Sequence, residues 1–152
     1  MKKQRTYINN YNRKARYDFE FIRTLNAGIK LLGSEVKGIR DLSMSFVDSF
    51  CIFTDDGIEL RGLHIDSPGW TEQHDPVRNR VLLLKKKEIT KLKNEFDTGM
   101  SIVPVRLFET ERGLFKLEIA LARGKKTYDK RESIKERDIK RETEKQLNER
   151  NY

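Results

Sequence analysis

The side chains able to perform catalysis or hold a metal are few and are poorly spaced for either task. The chain has two histidines, His64 and His74, and one cysteine, Cys51. A zinc site needs about four ligands, mostly Cys or His, at tight spacing, which these three residues do not provide. His74 and Asp75 could form an acid/base pair, but adjacent loop residues are poorly placed for proton transfer and no nucleophile accompanies them. We therefore expect no enzymatic activity, no cofactor and no metal site.

Cys51 lies in the apolar run from Phe50 to Phe53 and has no second cysteine to pair with. We interpret it as a buried thiol without a chemical role, which suits a reducing cytoplasm. No run of 18 apolar residues predicts a membrane-spanning helix. The basic N-terminus is not followed by an apolar segment, so no signal peptide is predicted. The sequence therefore predicts a cytoplasmic protein.

Basic side chains give the strongest chemical signal. Charged residues make up 37% of the 152 residues and the formal net charge is +8, which favours a polyanionic partner. Basic residues recur in five clusters, which are Arg13, Lys14 and Arg16; Lys37 and Arg40; Arg78 and Arg80; Lys85, Lys86 and Lys87; and Lys125 and Lys126. One such cluster is commonly a solvated face. Five around one small domain indicate phosphate binding, because Lys and Arg neutralise phosphates and release counterions.

Three aromatic residues stand beside these clusters, namely Tyr17, Trp70 and Tyr128. Aromatic rings stack on exposed bases, so each is a candidate base contact. Each could equally pack against the protein, and we interpret Trp70 as a packing residue.

The composition divides the chain into three regions. Residues 1–16 carry six basic residues and no acid, and we interpret them as a flexible basic arm that orders on a partner. Residues 17–123 hold nearly all the apolar residues and form the predicted folded domain. Residues 124–152 carry ten basic and seven acidic residues but no continuous apolar stripe. We expect this tail to be disordered when free and helical on a partner, with a solvated single helix as the alternative.

Apolar periodicity in the central region predicts several short strands and two helices. Strands are predicted from Phe19 to Thr24, Ile29 to Leu32, Phe46 to Phe53, Ile58 to Ile65, Ile102 to Phe108 and Leu114 to Leu121, helices after Ser34 and from Leu82 to Lys93, and a loop from Asp66 to Arg80. Ser34 is predicted to cap the first helix. The strand–helix alternation typical of a parallel sheet is absent. We therefore predict a mainly β fold with peripheral helices, arranged as a small closed β-barrel like the oligonucleotide/oligosaccharide-binding fold (OB-fold).

Several motifs resemble those of the SsrA-binding protein (small protein B) family and occur in that family's order. They are Asn12-Arg13-Lys14-Ala15-Arg16; Ala27-Gly28-Ile29; Gly33-Ser34-Glu35-Val36-Lys37; Asp48-Ser49-Phe50; His74-Asp75-Pro76 with Arg78, Arg80 and Leu82-Leu83-Leu84; Gly124-Lys125-Lys126; and Tyr128-Asp129-Lys130-Arg131 with Lys135-Glu136. Each motif alone is weak, whereas the ordered set is very specific. Tyr17 and Val81 depart from the family pattern, in which His and Lys are usual at these positions.

The resemblance implies a role in bacterial trans-translation. Family members bind the tRNA-like domain of transfer-messenger RNA (tmRNA, also called SsrA RNA) by its folded shape. They deliver it to ribosomes stalled on mRNA without a usable stop codon, where the incomplete peptide is tagged. The implied partners are therefore tmRNA and the ribosome, at the small-subunit decoding site and the mRNA channel, and neither a membrane nor DNA. The family's tail lies as a helix in the empty mRNA channel.

The resemblance also assigns the functional residues. RNA contacts are expected at Arg13, Lys14, Arg16, Tyr17, Glu35, Lys37, Arg40, Arg78, Arg80, Lys125 and Lys126. Glu35 is expected to accept hydrogen bonds from RNA or to orient a neighbouring Lys or Arg, with favourable helix-start electrostatics as the structural alternative. Ribosome contacts are expected in the tail, at Tyr128, Asp129, Lys130, Arg131 and Lys135.

Three other functions compete with this one. A general single-stranded-RNA or cold-shock-type binder on the same barrel should show an aromatic-rich sheet face, whereas aromatic residues are only 9% of this chain. A ribosomal or ribosome-associated structural protein would share the basic arm and tail. A nuclease would need a cluster of acidic metal ligands, which the sequence lacks in any recognised spacing.

Overall fold

The computed structural model describes residues 7–150, and within its last helix the side chains of residues 127–130, 132–133 and 147–150 are not described. The strands are β1 (Asn9–Tyr11), β2 (Phe19–Ile29), β3 (Met44–Ser45), β4 (Phe50–Thr54), β5 (Gly57–Arg61), β6 (His64–Ile65), β7 (Arg80–Leu83), β8 (Met100–Glu109) and β9 (Phe115–Gly124). The helices are α1 (Arg13–Asp18), α2 (Gly33–Arg40), α3 (Lys86–Glu95) and α4 (Thr127–Arg150). The prediction of a mainly β fold with a few helices is confirmed.

Seven strands form one antiparallel sheet in the order β1-β8-β4-β5-β7-β2-β9. Strand β9 also pairs with β8. The pairings therefore form a ring that runs from β8 through β4, β5, β7, β2 and β9 and back to β8. The register shifts between Phe21 and Arg23 on β2, and again between Pro104 and Arg106 on β8. Such bulges bend a strand and increase its twist, which lets the long strands β2, β8 and β9 curve.

The main core lies on one face of this sheet. Along β9, Phe115, Leu117 and Ile119 are buried while Lys116 is exposed, which is the two-residue period of a strand with one solvated face. Burial then becomes continuous over 120–122, because α1 covers the other face of the sheet there. The second cluster beneath α1 consists of Ala15, Val103, Val105, Ala120 and Ala122.

The structure differs from the predicted strands in three segments. The strands expected from Phe19 to Thr24 and from Ile29 to Leu32 are replaced by the single strand β2, which ends at Ile29, because Gly28 continues the ladder opposite Lys116 and does not break it. The strand expected from Phe46 to Phe53 begins only at Phe50, and the one expected from Ile58 to Ile65 is divided into β5 and β6 around Gly62, whose φ is 77°. Similarly, Leu83 ends strand β7 and does not begin the helix, which starts only at Lys86.

Residues 9–16 are held on the sheet, so the expectation of a flexible arm is wrong for them. Strand β1 pairs with β8, and the backbone N–H of Asn12 donates to Val105 at 2.7 Å. The side chain of Asn12 donates to the carbonyl of Pro104 at 2.8 Å and accepts from the N–H of Ala15 at 3.4 Å, which caps α1. The expected domain boundary after Arg16 therefore falls inside α1. Residues 1–6 lie outside the described part of the chain.

The C-terminal tail contains helix α4. Ile134 and Ile139 are exposed on it, in agreement with the absence of an apolar stripe in the sequence. The expectation that this helix orders only on a partner stays a prediction. Within residues 7–150, no helix is both long and apolar enough to span a membrane.

Candidate RNA-binding surface

Helix α1 and the end of β9 bring one group of cations together, which we call the α1 surface (Arg13, Lys14, Arg16, Lys125 and Lys126). The strand pair β2–β9 places Phe19 opposite Gly124, so the residues before one and after the other are neighbours. The side-chain ammonium of Lys125 donates to the carbonyl of Arg16 at 2.9 Å. Arg13, Lys14, Arg16 and Lys126 are exposed. The arrangement offers several positive charges to one polyanion.

Tyr11 belongs to this end of the molecule, and the sequence reasoning missed it. Tyr11 is 45% exposed. The guanidinium groups of Arg16 and Arg106 lie over its ring, each 5.8 Å from the ring centroid. Such a ring can stack on a base while its neighbouring cations face phosphates. The sequence signal that could have identified Tyr11 was its position, two residues before the basic run that starts at Arg13. Tyr17, which was predicted, is half-buried in α1.

A second group lies on α2 and the loop that follows β6, and we call it the α2 surface (Lys37, Arg40, Trp70 and Arg78). Lys37 is exposed, and its ammonium lies 4.5 Å from the centroid of the Trp70 ring. Arg40 has a side chain that is 40% exposed and donates to the buried carboxylate of Glu109 at 3.1 Å. Glu109 therefore partly neutralises the charge of Arg40, and Lys37 keeps the more available charge of the two cations on α2.

Beneath the α2 surface, Glu35 and Arg80 form a fully buried ion pair. One carboxylate oxygen of Glu35 accepts from Arg80, and the other accepts from Arg78 and from the backbone N–H of Leu32. The remaining donors of Arg80 reach the carbonyls of Leu63 at 2.6 Å and of residue 76 at 3.1 Å. Both oxygens of Glu35 and all three guanidinium nitrogens of Arg80 therefore have protein partners, whereas Nε of Arg78 is buried without one.

The burial of Arg80 corrects one prediction. Its guanidinium is occupied by Glu35 and two backbone carbonyls and is not exposed, so the prediction that Arg80 contacts RNA is wrong. Of the two roles expected for Glu35, orientation of neighbouring arginines agrees with its position, since it holds both Arg78 and Arg80. Arg78 remains one-third exposed, with a side-chain exposure of 32%.

Electrostatics keep Glu35 ionised. Burial alone would raise the pKa of this carboxyl group, but the hydrogen bonds from Arg78 and the Leu32 N–H, together with the charge of Arg80, outweigh burial. The pKa of Glu35 therefore lies below its ordinary value. The prediction that Ser34 caps the helix is wrong. The residue at the cap position is Leu32, and its backbone N–H donates to the Glu35 carboxylate at 2.8 Å.

Ser34 is used instead to fasten the loop of residues 66–79. His74 Nδ1 lies 2.7 Å from the hydroxyl of Ser34 and 2.8 Å from that of Ser67, and its Nε2 lies 2.7 Å from the carbonyl of Ile65. Since a carbonyl only accepts, Nε2 donates to Ile65, and Nδ1 lies within hydrogen-bond distance of both hydroxyls. His74 thus links α2 to the loop.

Trp70 is the clearest error in the sequence reasoning about aromatic residues. It was interpreted as a packing residue, yet 73% of it is exposed. The signal in favour of exposure was its place between Gly69 and Thr71 in a polar segment without apolar neighbours.

The remaining predicted residues lie on α4 or have no reactive role. Arg131 and Lys135 are exposed on the helix. Tyr128, Asp129 and Lys130 also lie on it, but their side chains are outside the described part of the structure. Cys51 is buried, and burial raises the pKa of its thiol, which agrees with an inert role. Among the described residues, no cluster of three or more His, Cys, Asp or Glu could hold a metal ion.

Comparison with known proteins shows what this arrangement is similar to. The family model described as "SmpB protein" matches residues 9–149. The SsrA-binding protein of Phocaeicola vulgatus is 49% identical over 140 residues, which cover 90% of this chain and 93% of that protein. The SsrA-binding protein of Pseudothermotoga lettingae is 45% identical over 133 residues, covering 86% of this chain and 89% of that protein.

A solved structure points the same way. The structure described as "tmRNA-SmpB: a journey to the center of the bacterial ribosome" superposes with a TM-score of 0.65 at 38% sequence identity, over 80% of this chain and 85% of that one. The family match covers the β domain, both basic surfaces and nearly all of α4. The chain therefore belongs to the SmpB protein family.

Proposed function

We propose that this protein binds the tRNA-like domain of tmRNA and delivers it to stalled ribosomes for trans-translation, so that the incomplete peptide is tagged and the ribosome is rescued. The observation that carries the proposal is the family match over residues 9–149, because it includes the RNA-binding domain and the tail together. Relatives with closely similar sequences are SsrA-binding proteins, and the description of the superposed structure names tmRNA, SmpB and the bacterial ribosome.

The two basic surfaces are the proposed contacts with tmRNA. The α1 surface and Tyr17 supply cations and a ring at one end of β9, and the α2 surface supplies Lys37, Arg40 and Arg78. Paired RNA hides its base edges in a deep groove, so a protein recognises it mostly by phosphate and ribose contacts and by shape. Cations held at fixed positions suit this mode of recognition. Glu35 and Arg80 act through Arg78 and do not touch the RNA.

The β domain serves as the rigid support for these contacts. We interpret the ring of pairings from β8 through β4, β5, β7 and β2 to β9 as a small closed OB-like barrel. A closed barrel has no unpaired edge strand along which to open, so the surfaces on its outside keep their spacing. The functional division is then an N-terminal basic segment, the barrel to residue 123, and the tail from residue 124.

The tail is the proposed ribosome contact. Its exposed basic residues, including Arg131 and Lys135, suit an rRNA-lined channel, and a helix is narrow enough to enter the empty mRNA channel near the decoding site. Tyr128, Asp129 and Lys130 belong to the same proposed contact. Because α4 has no apolar stripe, we expect it to exchange between helix and coil when free and to be fixed on the ribosome. Its site of action is then the bacterial cytoplasm.

Binding selectivity tests the proposal. The full chain is titrated with the tRNA-like domain of tmRNA, with ordinary tRNA and with single-stranded RNA, at near-physiological salt. The proposal predicts clear preference for the tRNA-like domain. Equal affinity for all three would make the general RNA binder the better description.

A further inference from the structure

Trp70 is an exposed indole on a part of the loop that is held in place. Its relative exposure is 73%, yet the turn that carries it is fixed, because the N–H and the hydroxyl of Thr71 both donate to the carbonyl of Pro68, at 3.0 and 2.8 Å. Four residues on, His74 fastens the same loop to Ser34 on α2. The ring is therefore presented to solvent from an ordered turn, with the ammonium of Lys37 over it.

The groups around the ring suit a nucleotide. A cleft of about 670 Å³, lined by Trp70, Lys37, Arg78 and the start of α2, opens beside the indole. Lys37 is within reach of a phosphate, since its ammonium lies against the ring, 4.5 Å from the centroid, and its side chain is exposed. Flat aromatic faces stack on any base that is not paired, and nearby cations add the charge that its phosphate requires.

The same cleft also contains acidic side chains, which restrict the kind of ligand it can bind. Glu72 and Asp75 line it, so a continuous run of phosphates through the cleft would meet negative charge. Carboxylates do accept hydrogen bonds from the amino and ring N–H groups of bases. The mixture of one aromatic face, cations and acceptors therefore suits a single base edge with one flanking phosphate better than an extended strand.

Resting on the proposed function, we infer that Trp70 is a stacking platform for one unpaired base of the tRNA-like domain of tmRNA, with Lys37 contacting a flanking phosphate. Base-paired nucleotides in A-form RNA cannot offer their faces, so the ligand is a base turned out of a loop. The contact adds a specific anchor to a surface that otherwise recognises shape and charge.

The chain offers a direct probe, because Trp70 is its one tryptophan. Stacking on a base should quench the tryptophan emission of the full-length protein when the tRNA-like domain is added, and should protect the ring from quenching by acrylamide. Free N-acetyltryptophanamide at the same RNA concentrations controls for light absorption by the RNA. An unchanged emission at RNA concentrations where binding is independently complete overturns the inference.

Affinity separates stacking from charge. Trp70→Ala should weaken binding about tenfold, because the base loses the ring on which it stacks, whereas Trp70→Phe, which keeps an aromatic face, should stay close to wild type. Because the side chain is neutral, Trp70→Ala should leave the slope of log K against log salt unchanged, whereas Lys37→Glu should reduce it. Phe50→Ala, which removes a 45%-exposed ring from a different cleft, is the matched control and should have no effect.

Two outcomes contradict the inference and are distinguishable. Wild-type affinity of Trp70→Ala for the tRNA-like domain, with the fold intact by circular dichroism, overturns the stacking role and leaves the proposed function standing. Failure of the wild-type chain itself to prefer the tRNA-like domain removes the proposed function, and the stacking role with it.

Discussion

Replacing Glu35 with Gln removes the negative charge at the centre of the buried network while keeping the size of the side chain. Arg80 is fully buried and would lose its counter-charge. The Gln amide also turns a donor toward either Arg80 or Arg78, where the carboxylate offered an acceptor to each. The substitution therefore leaves a buried charge that the rest of the network does not neutralise.

The magnitude follows from what Arg80 retains. Removing one partner of a buried ion pair costs about 3–5 kcal/mol. Arg80 keeps hydrogen bonds to the carbonyls of Leu63 and residue 76, so Glu35→Gln should destabilise the protein by about 3 kcal/mol, near the lower end of that range. Because domains are stable by roughly 5–15 kcal/mol, the variant should still fold and its stability can be measured.

Urea unfolding at pH 7 measures the change, and the chain contains a matched control. Glu95 makes an equivalent contact with Arg23 at 2.6 Å, but the two side chains are 31% and 37% exposed. Glu95→Gln should cost less than about 1 kcal/mol, because water screens a surface pair. If Glu35→Gln were as mild as Glu95→Gln, at an unchanged dependence on urea, the buried pair would not have the role assigned to it.

The pH dependence of the free energy of unfolding tests the same buried ion pair in a second way. The folded-state pKa of Glu35 lies below its ordinary value of 4.5, so the unfolded chain binds more protons here than the folded one as the pH falls below 4.5. The contribution of Glu35 is complete above that pH and is lost as the pH falls through the folded pKa. The free energy of unfolding should thus decline less steeply below pH 4.5 in Glu35→Gln than in wild type, and equal slopes would contradict this.

Three further outcomes are expected. Charge reversal at Lys37 and Arg40 should weaken binding of the tRNA-like domain, and titration at several salt concentrations should show that this loss shrinks as salt rises. Full affinity of the variant at low salt would show that the α2 surface does not bind the RNA. Truncation after Lys126 should leave the melting temperature within a few degrees and RNA binding intact, because β9 and the α1 surface are complete at that residue and α4 begins at Thr127, while abolishing peptide tagging; an unfolded β domain would show that the tail is structural. Gly38→Ala should destabilise the protein by about 1–3 kcal/mol in urea unfolding, because its Cβ would lie 2.0 Å from a backbone oxygen of the adjoining loop; Gly33→Ala in the same helix, with nothing within 4 Å, should be nearly neutral, and equal costs would refute the close contact.

The parts of the fold that local signals specify were predictable. Asp55-Asp56-Gly57 has the residue types of a tight turn and joins β4 to β5, with φ of 139° at Gly57. The connection between β8 and β9 also ends on a glycine, Gly113, whose φ is 80° and whose N–H donates to the carbonyl of Thr110 at 2.9 Å. Glycine adopts such positive φ values without strain, so these positions are readable from the sequence.

The buried network was not predictable, because it depends on contacts distant in sequence. Arg78 and Arg80 are two residues apart, a spacing that puts side chains on one side of an extended chain, and both contact the same residue, Glu35. The pattern does not say whether that side faces water. Glu35 lies 45 residues before Arg80, and only the folded arrangement brings the two together.

The N-terminal elements and Trp70 were missed for a related reason. Basic composition suggested a flexible arm, but two contacts from Asn12 to β8 hold it on the sheet. An aromatic ring suggested burial, but polar contacts of Thr71 and His74 order the loop without covering Trp70. In both cases hydrogen bonds, which leave no periodic trace in the sequence, decide the outcome.

Peptide tagging in a reconstituted translation system tests whether this protein delivers tmRNA to stalled ribosomes. Ribosomes are stalled on an mRNA without a stop codon and supplied with aminoacylated tmRNA, with and without this protein, and the SsrA-binding protein of Phocaeicola vulgatus serves as the positive control. The tag should appear on the stalled peptide when the full-length protein is present and should be absent without it. Tagging by the control but not by this protein would show that the protein does not perform the proposed function.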